Sequence, residues 1–209
     1  MNIIPASYQI LTPLDGMDIL KYIERIGRVC YKSEDKITDD SCTRFVKMLI
    51  DRGHEAMLEH YSLSVLFICD RGVSHEIVRH RLASFAQEST RYCNYSQDKF
   101  GNELTFVKPI FYETGNPDGA IWETTCRKIE GMYFGLLKQG SSPQEARSIL
   151  PNSLKTEVVM TANLREWRHF FKLRTADTAH LQMRELTRPL CTELKRLIPV
   201  VFDDIVWEG

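Results

Sequence analysis

Residues 79–96, RHRLASFAQESTRYCNYS, concentrate positive charge and hydroxyl groups in one short stretch of the chain. Its cationic, titratable and hydroxyl side chains include Arg79, His80, Arg81, Ser84, Ser89, Thr90 and Arg91. A guanidinium group offers a planar fork of donors that matches a phosphate, and hydroxyl groups add further donors. The stretch therefore predicts a site for an anionic ligand. The alternative is a solvated basic helix end, in which Glu76 pairs with Arg79 or His80.

The order Arg-His-Arg limits how this segment could bind a single anion. Consecutive residues on a helix are about 100° apart, so Arg79 and Arg81 would point about 200° apart. One helix face cannot place both guanidinium groups on the same phosphate. Either the helix ends here, or the two arginines serve different ligands or a subunit boundary.

The glycines of the chain do not form a recognisable nucleotide-binding loop. Neither GxGxxG nor GxxxxGK[ST] occurs in the sequence, so it has neither a Rossmann fingerprint nor a P-loop. If a nucleotide binds, side chains must hold its phosphates in place of a backbone loop.

A second polar cluster occupies residues 163–174, NLREWRHFFKLR. Its apolar residues recur at helical spacing. Another helix face consists of Arg165, His169 and Lys172. Asn163, with Glu166 three residues on, is a good N-cap, and Arg174 lies where the helix should end and suits the helix dipole. The polar face could therefore serve a ligand or simply face solvent.

Metal binding and cysteine catalysis are two further possibilities. Residues 54–60, HEAMLEH, contain two histidines and two glutamates, but their spacing puts His54 and His60 on different helical faces. Because no CxxC pair occurs either, the sequence predicts no metal site. Cys93 lies two residues from Arg91, whose charge would favour a nucleophilic thiolate. Packing is the commoner role of a cysteine outside disulfides.

The composition is that of an ordinary globular protein with almost no net charge. Hydrophobic residues make up 43% of the 209 residues, and 27 Lys and Arg balance 28 Asp and Glu. This balance disfavours a rival interpretation, a module that binds RNA or single-stranded DNA through phosphate and stacking contacts from Arg79-His80-Arg81, Arg91, Tyr92 and Tyr95. No apolar run approaches the roughly 18 residues of a membrane span, and the N-terminus does not resemble a signal peptide. Six scattered cysteines fit a reducing cytoplasm.

The elements that must position these residues follow from apolar periodicity and capping signals. Predicted helices cover residues 17–30, 40–51, 71–81, 121–139, a short helix after the capping box at 142–145, one from Asn163, and 178–197. Predicted strands cover residues 61–69, 104–112 and 155–162. With no linker or repeat in view, the pattern indicates one mixed α+β domain.

The combination of motifs resembles the flavin-dependent thymidylate synthases. Arg79-His80-Arg81, followed by seven residues and Ser89, match that family's signature, and Thr90-Arg91-Tyr92 continue it. Further matches, in the family's order, are HE…EH at 54–60, Arg147 before Leu-Pro, Asn163-Leu-Arg165, Leu173-Arg174 and His180-Leu-Gln182. Residue types differ from the family's usual ones at Glu76, Ala56, Ala86, Gln87 and His169.

The resemblance implies an enzyme that makes dTMP from dUMP. Methylenetetrahydrofolate would be the carbon donor, NADPH the reductant and FAD the hydride carrier, and no cysteine nucleophile would be needed. The implied fold is a single α+β domain over residues 1–209, with mixed helices around an antiparallel sheet. The implied assembly is a cytoplasmic homotetramer with shared active sites and neither a nucleic-acid nor a membrane partner. A homologue that binds a nucleotide but has lost catalysis remains the alternative.

The resemblance also implies a role for each matching residue. FAD would be bound by Arg79, His80, Arg81, Gln87, Asn163, Arg165 and His169. Substrate dUMP would be bound by Glu76, Arg79, Gln87, Glu88, Ser89, Thr90, Arg91, Arg147 and Arg174. Arg147 would come from another subunit. Arg174 would be the catalytic residue, because its charge at the uracil edge favours the ionised ring.

Overall fold

The computed structural model of the protein describes residues 1–112 and 115–208. Its helices are α1 (Gly16–Tyr31), α2 (Ser41–Asp51), α3 (Arg71–Ile77), α4 (Pro117–Lys138), α5 (Pro143–Ala146), α6 (Leu164–Arg174) and α7 (Leu181–Leu197). Its strands are β1 (Asn2–Ile4), β2 (Ser7–Ile10), β3 (Ser62–Asp70), β4 (Ala83–Gln87), β5 (Thr105–Val107) and β6 (Lys155–Asn163). Short 3₁₀ helices span Glu34–Lys36, Glu55–His60, Asp98–Phe100 and Arg147–Ile149. The predicted α+β class with an antiparallel sheet is confirmed.

The described strands form a small sheet and a larger one. β1 and β5 pair in parallel, with Ile3 opposite Phe106. The larger sheet has the strand order β2-β3-β6-β4. Positions along β3 and β6 alternate between buried and half-buried, as the pleat of a strand with one covered face requires. This alternation continues into β6's last residue, Asn163, which caps the next helix.

The chain divides into two compact units. The first unit contains Met1–Ser7, Phe67–Arg79 and Phe85–Val159, and the second contains Tyr8–Leu66, His80–Ser84 and Met160–Gly209. A core of the first unit is formed by Tyr95, Leu104, Phe106, Cys126, Tyr133, Ala146 and Leu154. The second unit contains an aromatic cluster of Trp167, Phe170, Phe171 and Phe202. The single domain expected over residues 1–209 stays a prediction.

Local capping explains where several helices begin. The Asp15 carboxylate accepts a hydrogen bond from the Asp18 amide at 3.0 Å, which fixes the start of α1. The capping box predicted at residues 142–145 is confirmed, because the Glu145 carboxylate accepts from the Ser142 amide at 2.7 Å. These signals lie within a few residues of the element they start, so the sequence alone could identify them.

Helix α3 ends at Ile77, four residues before the end predicted at residue 81. The last turn tightens as the Arg79 amide donates to the Glu76 carbonyl at 3.3 Å, and the chain then enters β4. The Arg79-His80-Arg81 segment therefore lies outside the helix, one of the arrangements that its spacing allowed.

Strand β5 is shorter than the predicted 104–112 and covers only Thr105–Val107. Lys108 still donates its amide to the Ile4 carbonyl at 2.9 Å, but Pro109 has no amide with which to continue the ladder. Strands β1, β2 and β4 were not predicted, since each is five residues or fewer and depends on partners distant in sequence.

Candidate functional site

An open cavity of about 460 Å³ in the second unit contains several of the predicted cofactor residues. Its lining residues are Glu55, Glu59, Arg81, Leu82, Asn163, Arg165, Glu166, His169 and Lys172. Arg81 comes from the loop before β4, and Glu55 and Glu59 come from the 3₁₀ helix Glu55–His60. Helix α6 contributes Arg165, Glu166, His169 and Lys172. The structure therefore brings Arg81, Asn163, Arg165 and His169 to one cavity, and their contact with FAD stays a prediction.

Helix α6 presents its polar face to this cavity because its other face is fixed in the protein interior. Asn163 accepts a hydrogen bond from the Glu166 amide at 2.9 Å, which confirms the predicted N-cap. Trp167 is fully buried and donates its indole N–H to the Leu63 carbonyl at 3.2 Å. With this anchor in place, Arg165 and His169 remain exposed.

His80 lies buried beside the end of α6 and contacts Arg174. The His80 side chain is only 3% exposed, and its Nε2 accepts a hydrogen bond from Arg174 Nε at 3.0 Å. The ring packs edge-on against Phe170, with 4.8 Å between ring centroids, and lies 5.9 Å from the His169 ring. Burial, followed by the charges of Arg174 and His169, lowers the pKa of His80 to about 4. His80 is therefore a neutral hydrogen-bond acceptor at neutral pH.

Glu166 completes this buried group. Its Oε1 atom lies 3.5 Å from His80 Nδ1, and neither of these two buried atoms has a hydrogen-bond partner among the described residues. Burial raises the pKa of the Glu166 carboxyl, and the nearby His169 opposes that change. His80, Glu166 and His169 place potential metal-ligand atoms within 4.8 Å of one another.

Ion pairs set the charge of the cavity wall. Arg165 donates to the Glu59 carboxylate at 2.5 Å, and Lys172 lies 3.8 Å from Glu55. Arg81 donates to the His80 carbonyl at 2.8 Å, which orients its guanidinium group. Cations and carboxylates are thus interspersed, so the cavity can offer donors to an anion without a large uncompensated positive charge.

A second cluster, in the first unit, holds residues predicted to bind the substrate. Arg147 Nη1 donates to the Thr90 hydroxyl at 3.5 Å, although the two residues are 57 positions apart in sequence. The Glu88 carboxylate accepts from the Tyr95 hydroxyl at 2.8 Å and from Lys155 Nζ at 3.1 Å. Lys155 lies on β6 and also pairs with Glu157, and no sequence motif pointed to it.

The remaining predicted substrate residues also belong to the first unit. Gln87 donates its side-chain amide to the Ser74 hydroxyl at 2.9 Å, the Ser89 hydroxyl accepts from the Arg91 amide at 3.3 Å, and the guanidinium of Arg91 lies 5.3 Å from the Tyr92 ring centroid. Glu76 is half-buried and Arg79 is exposed. Arg91 and Arg147 belong to the first unit and Arg174 to the second, so the convergence of these three arginines stays a prediction.

Sequence reasoning assigned no cofactor or substrate contact to five of the lining residues, Glu55, Glu59, Leu82, Glu166 and Lys172. Leu82 is 80% exposed and lines the cavity, an unusual position for a large apolar side chain. Glu166 was assigned only a part in capping α6, because nothing in its spacing shows that its carboxylate faces His80. For Leu82, the signal available in the sequence was its position directly after the Arg-His-Arg motif.

The fold is α+β, and the two clusters gather guanidinium and hydroxyl groups, the donors that an anionic ligand would need where the sequence has no glycine-rich phosphate loop. The model of the Thy1 family, described as thymidylate synthase complementing protein, matches residues 14–200. The chain belongs to this family.

Several relatives support this assignment along most of the chain. The flavin-dependent thymidylate synthase of Corynebacterium efficiens is 30% identical over 212 residues, which cover 96% of this chain and 84% of that protein. The protein of the same name from Geobacter sulfurreducens is 30% identical over 185 residues, covering 85% of this chain and 78% of the relative. The flavin-dependent thymidylate synthase of Mycobacterium tuberculosis is 30% identical over 205 residues, which cover 92% of this chain and 81% of that protein.

Proposed function

We propose that this chain is a flavin-dependent thymidylate synthase, which methylates dUMP reductively to dTMP. Methylenetetrahydrofolate would supply the carbon and FAD would carry the hydride. The observation that carries the proposal is the Arg174–His80 hydrogen bond, because it joins the two motifs that define the resemblance across 94 positions of sequence. The family assignment gives independent support.

The second-unit cavity fits the chemistry of a flavin nucleotide. Its volume of about 460 Å³ is in the range of small-molecule sites, roughly 300–1,000 Å³. Arg81 and Arg165 offer guanidinium donors suited to phosphate, and the exposed Leu82 offers an apolar surface for an aromatic ring. We assign Arg79, His80, Arg81, Gln87, Asn163, Arg165 and His169 to FAD. When bound, the cofactor supplies the hydride chemistry that amino-acid side chains lack.

The chain's own residues bind and polarise the substrate in this proposal. Thr90, Arg91 and Arg147 receive the phosphate of dUMP in this proposal. The Arg147–Thr90 contact lies within one chain and supports taking these two residues from the same subunit, so that the subunit boundary falls elsewhere in the site. The Arg174 guanidinium binds the uracil edge and stabilises negative charge on the ring, which promotes substitution at the ring carbon. The other proposed substrate contacts are Glu76, Arg79, Gln87, Glu88 and Ser89.

A shared active site in a homotetramer, with NADPH as reductant, completes the proposal. An assembly is supported by α4, a helix of 22 residues in which only Cys126 and Tyr133 are buried. Its Met132 is 61% exposed and Ile121 is 66% exposed, as expected of a helix that packs against another copy. Light scattering of the purified protein would give the mass of the assembly.

No helix within residues 1–112 and 115–208 combines the length and the hydropathy that a transmembrane segment needs. We propose a cytoplasmic location, which rests on the metabolic role and on cysteine use.

The decisive experiment measures flavin binding and substrate chemistry separately. Purified protein reconstituted with FAD should be yellow and should release tritium from dUMP labelled at uracil C5 when methylenetetrahydrofolate and NADPH are supplied. A Cys93→Ala variant serves as the matched control and should keep turnover within about twofold, because no thiol nucleophile takes part. Failure to bind FAD would overturn the proposal, whereas FAD binding without tritium release would indicate a homologue that has lost catalysis.

A further inference from the structure

We infer that Glu166 is a positioning residue, which fixes the His80 ring so that His80 in turn holds the Arg174 guanidinium. The three side chains form a row in the second unit: Glu166 Oε1 lies 3.5 Å from His80 Nδ1, and His80 Nε2 lies 3.0 Å from Arg174 Nε. This inference rests on the proposed function, in which Arg174 acts on the uracil ring.

The contact with Arg174 determines where the imidazole proton must lie. Arginine Nε always carries a hydrogen and can only donate, so His80 Nε2 must accept. A neutral imidazole that accepts at Nε2 carries its hydrogen on Nδ1. That Nδ1–H is buried and requires an acceptor, because an unsatisfied buried donor is costly.

Glu166 provides the acceptor. Its Oε1 atom is buried, has no hydrogen-bond partner among the described residues, and faces His80 Nδ1. A closer approach of a few tenths of an ångström would make the 3.5 Å contact an ordinary hydrogen bond. Glu166 is itself fixed in place, because its backbone amide is bound by the Asn163 cap.

The surroundings of His80 favour this neutral arrangement. The groups that face its ring are Arg174, Glu166, His169 and the apolar edge of Phe170. Burial and the neighbouring Arg174 both disfavour a second proton on the ring. A neutral His80 ring, oriented by the Glu166 carboxylate, therefore orients the Arg174 guanidinium in turn.

The benefit of such a row is a guanidinium with a fixed direction. Arginine has several rotatable bonds, and holding Nε reduces the number of conformations that must be lost when substrate binds. Removing the acceptor behind the histidine should therefore lower kcat more than it changes the KM for dUMP. Losses of this kind for orienting partners of a functional histidine are about 10-fold to 100-fold.

The test compares two substitutions at one position. Glu166→Gln keeps a side-chain oxygen that can accept from Nδ1–H, whereas Glu166→Met has nearly the same length and no strong acceptor. We expect Glu166→Gln to retain kcat within about threefold and Glu166→Met to lose about 10-fold or more, with the KM for dUMP nearly unchanged. Equal activity of the two variants would overturn the inference.

A spectroscopic readout separates positioning from mere stability. The solid-state ¹⁵N spectrum of histidine-labelled wild-type protein should show His80, identified by its loss in His80→Gln, protonated at Nδ1 and not at Nε2. This pattern should persist in Glu166→Gln and change in Glu166→Met. A Glu59→Gln variant, in the same cavity, should leave the His80 signals where they are.

The outcomes remain distinct from those that test the proposed function. If wild-type protein releases no tritium, the proposed function fails, but the ¹⁵N measurement still decides whether Glu166 controls the His80 ring. An Nε2-protonated His80 in the wild type would overturn the inference. So would stoichiometric Zn²⁺ binding that is lost in Glu166→Met, because the His80, Glu166 and His169 cluster would then be a cation site.

Discussion

Arg174 and His80 show how the role of one residue depends on the protonation of another. Arg174 donates through Nε to a histidine that is kept neutral by burial. A charged His80 would repel Arg174 and could not accept its hydrogen bond. The chemistry proposed for Arg174 therefore depends on a residue that need not touch the uracil ring.

Substitution of Arg174 tests the catalytic assignment directly. Arg174→Ala should lower the rate of dTMP formation by about 100-fold or more while FAD remains bound, because an electrostatic contact to the reacting ring is lost. Tritium release and the visible spectrum measure the two properties. Arg174→Lys keeps the charge without the planar fork and should recover only part of the activity. An active Arg174→Ala enzyme would contradict the assignment.

The buried, neutral His80 predicts a specific dependence of stability on pH. Its pKa falls from 6.5 in the unfolded chain to about 4 in the folded protein, so the unfolded state binds more protons between these values. The contribution of neutral His80 to the free energy of unfolding should be complete above pH 6.5 and should be lost as the pH falls toward 4. Urea unfolding can measure the free energy of unfolding of wild type and His80→Gln at several pH values. Between pH 6.5 and 4 this free energy should fall less in the variant than in wild type. Parallel declines would contradict the prediction.

At the scale of secondary structure, α6 combines a structural cap with a polar face that lines the cavity. Asn163→Ala should lower the free energy of unfolding by about 1 kcal/mol, because the Glu166 amide loses its acceptor. Asn163→Asp keeps a capping oxygen and should unfold near the wild-type urea midpoint. If the two variants were equally destabilised, the cap would not explain the helix start.

The same elements show what the sequence could predict. Helix α6 and its cap were predictable because Asn163, Glu166 and the apolar spacing lie within one short segment. The end of α3 was not, because whether residues 78–81 stay helical depends on β4 pairing in a sheet assembled from distant segments. Among site residues, the resemblance singled out His80 and Arg174 for different ligands, whereas their contact with each other and the approach of Glu166 to His80 required coordinates.

At the scale of the whole molecule, a buried arginine of α6 ties the segment after α7 to the rest of the second unit. Arg168 is 1% exposed and binds Asp204 at 2.6 Å, Glu55 at 3.0 Å and the Val201 carbonyl. The segment after α7 is therefore held by the Arg168 guanidinium, which Glu55 binds as well. Because the pair partners are partly buried, a missing guanidinium would leave carboxylates uncompensated.

This network predicts a large difference between two arginines on the same helix. Arg168→Met should lower the free energy of unfolding by about 3 kcal/mol or more, since it breaks a buried network. Arg165→Met removes an exposed pair with Glu59 and should cost about 1 kcal/mol or less. Urea unfolding of both variants provides the comparison, and similar losses would contradict the prediction.

The burial of Trp167 among phenylalanines makes it an optical probe of one part of the chain. Trp122 belongs to the first unit and Trp167 to the second, so each indole senses its own environment. Variants that keep one of these two tryptophans, with Trp207 also replaced, would report by fluorescence on each unit during denaturation. Superimposable curves would mean that all 209 residues unfold cooperatively. Separated midpoints would mean that the residues proposed to bind ligands in one unit can unfold while those of the other unit stay folded.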